Sequence, residues 1–130
     1  MTNYNVDVKN QDNTNMLSIA VREKISHLNT EYWTLHGTDV TALQLDRITV
    51  QIAQYRVLAA QLDVSYQINN QKAWSELGDG SAVDKADAAV RRAQIAKCKA
   101  IVDRDVTTLK EAQEKCTTSR RAERDARNAS

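Results

Sequence analysis

From Thr14 to His36, apolar residues recur at intervals of three and four: Leu17, Val21, Ile25, Leu28, Tyr32 and Leu35. That spacing predicts an amphipathic helix with one stripe to bury. Thr14 or Asn15 is placed to cap its start, and Gly37 follows its end. Residues 1–13 are rich in Asn and Asp and carry no apolar period, so they read as a flexible or extended arm.

After a short break at 37–38, the pattern predicts a second helix over 39–77, with Thr38 or Asp39 as its cap. A seven-residue repeat places Leu45, Ile52, Ala59, Tyr66 and Ala73 at one core position, and Ile48, Tyr55, Leu62 and Asn69 at the other. "ITVQI" alternates like a strand, but the helical repeat continues well past it. The opposite side is also apolar. Leu43, Val50, Val57 and Val64 recur at strict sevens, beside the small Ala53 and Ala60. One stripe suits the third helix, which leaves this row for the first helix or for a second subunit. The second subunit is the expectation, because three thin helices enclose little interior.

"GDGS" at 78–81 is the clearest hinge, where Ser81 and Asp84 stand at the spacing of a capping pair. A third helix is predicted over 82–127. Its expected stripe is Val83, Ala86, Val90, Ile95, Cys98, Val102, Val106, Leu109, Ala112 and Cys116. Two helices of ~50 Å or more joined by so short a hinge must run antiparallel. The fold expected is all-α: an elongated antiparallel helical hairpin in a three-helix arrangement with coiled-coil character, oligomeric, and forming a single helical domain over 14–130.

Composition supports that class. The 130 residues include no proline, no phenylalanine, three glycines and 5% aromatics, which favours long helices over a rounded core. The net charge of +1 supplies no global attraction to nucleic acid or membrane. No apolar run approaches a membrane span, and "MTNYNVDVKNQDNTN" lacks the features of a signal peptide, so a cytoplasmic location is expected, or one in a particle assembled there. Cys98 and Cys116 are 18 residues apart, so on one helix they lie ~27 Å apart and serve as small apolar residues.

Catalytic patterns are missing from the sequence. There is no phosphate-binding glycine loop, CxxC, HExxH or GxSxG. His27 and His36 are nine residues apart and point to opposite sides of a helix, which suits surface positions rather than a metal pair. "GDGSAVDKAD" has acidic residues but, counted from Asp79, reaches Val90 where a calcium loop needs a bidentate Glu. No catalytic residue, cofactor or metal is expected. Trp33 and Trp74 are expected to close the ends of the bundle.

Charge is divided unevenly. Residues 1–80 carry 6 Lys and Arg against 9 Asp and Glu, whereas residues 81–130 carry 12 against 8. Arg91, Arg92, Arg120, Arg121 and Arg124 are therefore the candidate nucleic-acid contacts. Acids at pairing distance, as in Lys110–Glu114 and Arg121–Asp125, favour a salt-bridged solvent face instead. From Ser81 onward there is no aromatic platform for base stacking, so only weak, non-specific nucleic-acid binding is expected.

The function expected is non-enzymatic. The chain reads as a self-assembling structural, scaffold or adaptor protein that contacts itself and another protein, a phage virion component being one concrete form. A nucleic-acid-associated accessory protein, as in recombination or packaging, is the alternative, and a helical inhibitor of another protein is the third reading.

Overall fold

The computed structural model describes residues 11–78 and 80–129, with side chains from Leu17 onward. Residues 1–10, which make up most of the expected arm, lie outside the described residues. Three helices follow in order, α1 (Gln11–His36), α2 (Ala42–Leu77) and α3 (Ala82–Ala129), and no strand occurs among the described residues. The chain is all-α.

Local chemistry places the boundaries. α1 begins three residues before the expected Thr14. α2 begins at Ala42, later than the 39 read from sequence. Thr38 closes α1 instead of capping α2: its backbone N–H and its hydroxyl both donate to the Leu35 carbonyl, at 2.9 and 2.7 Å. The α2 cap is Thr41, which forms a reciprocal box with Gln44. The Gln44 N–H donates to Thr41 Oγ1 at 3.3 Å, and the Thr41 N–H donates to Gln44 Oε1 at 3.2 Å.

The hinge follows the same logic displaced by one residue. Ser81 Oγ accepts from the Asp84 N–H at 3.2 Å, while the Asp84 carboxylate reaches back to the Gly80 N–H at 3.0 Å. Gly80 has φ +75°, a left-handed conformation that side chains disfavour. This glycine makes the reversal possible.

Packing then departs from the sequence reading. α2 lies between the other two helices, and α1 does not approach α3. The α1 stripe packs Leu28, Ile25, Tyr32 and Leu35 against Ile48, Ile52 and Tyr55 of α2. On the far side of α2, Ala60 and Val64 pack with Val102, and Cys98, Ile101 and Val106 close around them. Ile48 and Val64 are 16 residues apart, which places them on roughly opposite faces of one helix. Of the row expected to meet a second subunit, Val64 packs against Val102 of α3 within the chain. Val64 is 0% and Leu43 5% exposed, and Val50 and Val57 are half-buried. A second chain could reach Val64 only by opening the α2–α3 seam.

The resulting molecule is a single layer of three helices. By helical rise, α3 alone is ~72 Å long. The 9200 Å² of accessible surface is about a third more than the ~6,900 Å² of a compact monomer of 14.6 kDa. Because both seams run along α2, each outer helix keeps one whole side uncovered.

Candidate interaction surface

Large apolar groups are exposed on all three helices. Near the hinge, Trp74 is 50%, Leu77 78%, Val83 71% and Val90 57% exposed. On α1, Ile19 and Trp33 are exposed, Trp33 at 68%. The tryptophans thus do not close a bundle, since a one-layer arrangement has no enclosed end to plug. Trp74 instead lies beneath the Arg91 guanidinium, 4.7 Å from the ring centre. Trp33 belongs to a small aromatic group with Tyr32 and His36, whose centroids lie 5.3 Å from its own. The shallow trough beside it is walled by α1 alone, from Arg22 to Thr34, with no second element converging on it.

Along α3 the buried and half-buried positions alternate by three and four from Ala88 through Arg91, Ile95, Cys98 and Val102 to Glu123. Stepping back from Ile95 by this rule reaches Arg91 and Ala88. The stripe read from sequence stepped back by five, to Val90, and then to Ala86 and Val83. All three are exposed. The first half of α3 has two apolar faces, and only one is used within the chain.

Polar chemistry collects in the seams. Asp46, buried to 6%, sits between Leu43 and Val50 on the α3 side of α2. Ser119 Oγ donates a hydrogen bond to its Oδ2, and Lys115 Nζ stands 3.7 Å from Oδ1. Its position three residues after Leu43 and four before Val50 was a signal available in the sequence, but an acidic residue in an apolar row is easily read as an edge. A second group lies between α1 and α2, where Arg22 approaches Asp63 at 3.7 Å with both side chains largely exposed. Partial burial raises the Asp63 carboxyl above its ordinary pKa of 3.8, against the opposing pull of Arg22. Burial, with the nearby Asp63 charge, also raises the Cys98 thiol above 9.0, while Lys97 pulls it down. Such a thiol holds its proton and is a poor nucleophile. Both cysteines are free, Cys98 half-buried and Cys116 buried, on one unbroken helix.

The structure does not bring the candidate arginines together. Arg91 is committed to Trp74 near the hinge and Arg92 is exposed beside it, whereas Arg120 lies 29 residues farther along α3, ~44 Å away. Arg120, Arg121 and Arg124 are exposed, and Arg124 lies 3.9 Å from its neighbour Asp125. Since Ser119 faces Asp46, the first residue of α2 falls opposite about Glu123. From Arg124 onward α3 extends beyond its partner, with each described residue exposed.

Among the described residues, no three His, Cys, Asp or Glu side chains converge as metal ligands, and no helix is long and apolar enough to cross a membrane. No protein-family model, curated protein or solved structure matches this chain.

Proposed function

We propose that this chain is a non-enzymatic helical protein acting through protein–protein contacts, as a structural, scaffold or adaptor element. One observation carries the reading: Trp33 on α1, Val83 and Val90 on α3, and Trp74 and Leu77 at the end of α2 all stand exposed. Large apolar side chains grouped on a surface mark binding sites for other macromolecules. The three-and-four spacing of both seams gives the layer coiled-coil character, which provides the stiffness a spacer or scaffold needs. Residence in the cytoplasm, or in a particle assembled there, belongs to the same reading.

A second reading rests on the free end of α3. Arg120, Arg121 and Arg124 are exposed on or next to an overhang that no other helix covers, a suitable place for phosphate. Contacts there would be salt-sensitive and indifferent to sequence.

Affinity capture with the full chain, followed by reassembly from purified components, separates the two. A stoichiometric protein complex, with itself or with another chain, supports the first reading. Failure to reassemble any protein complex, together with salt-dependent retention of single-stranded DNA, would overturn it in favour of the second.

A further inference from the structure

The first half of α3 turns an unbroken apolar face away from α2. Ala82, Val83, Ala86, Ala89, Val90, Ala93 and Ala96 are all exposed, and on helical spacing they share that face over four turns. Lys85, Asp87, Arg92 and Gln94 fall to its flanks or toward the seam. An exposed helix face needs no such composition to remain in solvent.

The same arrangement occurs on the side of α2 that carries Val64, which packs against Val102 of α3. By helical spacing that side carries Val50, Ala53, Val57 and Ala60, a Val-x2-Ala-x3-Val-x2-Ala array in which Ala53 is 4% and Ala60 6% exposed and Ala60 packs with Val102. Val83, Ala86, Val90 and Ala93 repeat that array residue for residue. Small side chains at one position and valines at the next let two helix axes approach closely, so this surface has the shape of a helix seat.

Charge identifies the occupant and its direction. Lys97 continues the Val83, Val90 row at the next seven, and Asp87 lies one turn from Val90 on the other side. If two copies pack antiparallel with Val90 facing Val90, Lys97 of each falls beside Val83 of the other, within a turn of its Asp87. Opposite charges then meet twice. A parallel pair in register would place Lys97 against Lys97, a like-charge contact.

We infer that this face of α3 is a homotypic docking surface, on which the same face of a second copy packs antiparallel about a two-fold axis near Val90. The inference rests on the proposed role in protein contact and names one partner, the chain itself. A two-fold contact of this kind is self-complementary and closes at the dimer. Four turns of helix bury less than the ~800 Å² per partner of a standard stable interface, so association is weak and concentration-dependent.

Analytical ultracentrifugation of the full chain tests it. Average mass should rise with concentration from 14.6 kDa toward twice that value. Val90→Lys, at an exposed position, should hold the mass at the monomer with the helical circular dichroism unchanged. Asp87→Lys should weaken dimerisation about tenfold, as expected for loss of an interfacial ion pair. Adding Lys97→Asp to that variant should restore it. A wild-type chain that stays monomeric throughout overturns the inference while leaving contact with other proteins standing. A dimer indifferent to Val90→Lys overturns the surface, and a double variant that does not recover overturns the antiparallel arrangement.

Discussion

Ser119 donates a hydrogen bond to the Asp46 carboxylate across the α2–α3 seam, joining residues 73 apart in sequence. Asp46 is the buried polar residue of an otherwise apolar and small-residue row, and it is satisfied by Ser119 and by Lys115 at 3.7 Å. Two long helices with repeating small residues have several pairings of similar shape, one heptad apart. A buried carboxylate finds its hydroxyl in only one of them, which fixes the register.

Ser119→Ala should therefore lower stability by about 1.5–3 kcal/mol, the range for a hydrogen bond to a charged group. Asp46→Asn keeps an acceptor for Ser119 and should cost less. Urea unfolding followed by circular dichroism measures both. A Ser119→Ala variant as stable as the parent would show that Lys115 and solvent satisfy Asp46 without the hydroxyl.

Val64 and Val102 are each 0% exposed and pack together at the centre of the same seam. Val64→Ala removes two carbons from a site that cannot refill with water, for a loss of about 2 kcal/mol. Val57→Ala, at a half-buried position of the same row, should cost about half as much. If the row instead met a second subunit, both changes would lower oligomer mass and leave the monomer's unfolding midpoint unaltered.

The pH dependence contributed by Asp63 has a definite sign. Its folded-state pKa lies above 3.8, so the folded chain binds the proton more readily than the unfolded chain does. The associated stability is fully present below 3.8 and is lost as pH rises through the folded-state value. Titration of the Asp63 carboxyl by NMR should give a midpoint above 3.8, and Arg22→Gln should raise it further by removing the opposing charge. A midpoint that falls in the Arg22 variant would contradict that account.

Deleting residues 124–130 should leave the unfolding free energy within about 0.5 kcal/mol of the parent, because no described side chain there is buried. The same deletion should reduce any binding to single-stranded DNA and lessen its salt dependence, since Arg124 and Arg127 are lost. A deletion beginning at 119 is a different experiment: it strips Asp46 of its hydroxyl partner. Equal stability of the two truncated chains would argue against the Asp46–Ser119 register.

The three helices are legible in the chain without its structure. The apolar stripe from Leu17 to Leu35, the absence of proline, and the breaks at Gly37 and at "GDGS" dictate helix number, order and antiparallel direction, because each depends on local spacing and backbone conformation. The two apolar faces of α2 were legible in the same way. Which helix takes which face was not, since periodicity states that a face is buried and carries no label for its partner. Tertiary packing gives Ile48 and Ile52 to α1 and Val64 to α3, keeps α1 away from α3, and thereby makes a layer with two open sides. In the first half of α3, Ala88 with Arg91 and Val83 with Val90 define competing stripes of comparable apolar character. The choice is made by continuity with Ile95 and Val102 and by the register that Asp46 and Ser119 impose, a contact between distant residues that no local pattern encodes.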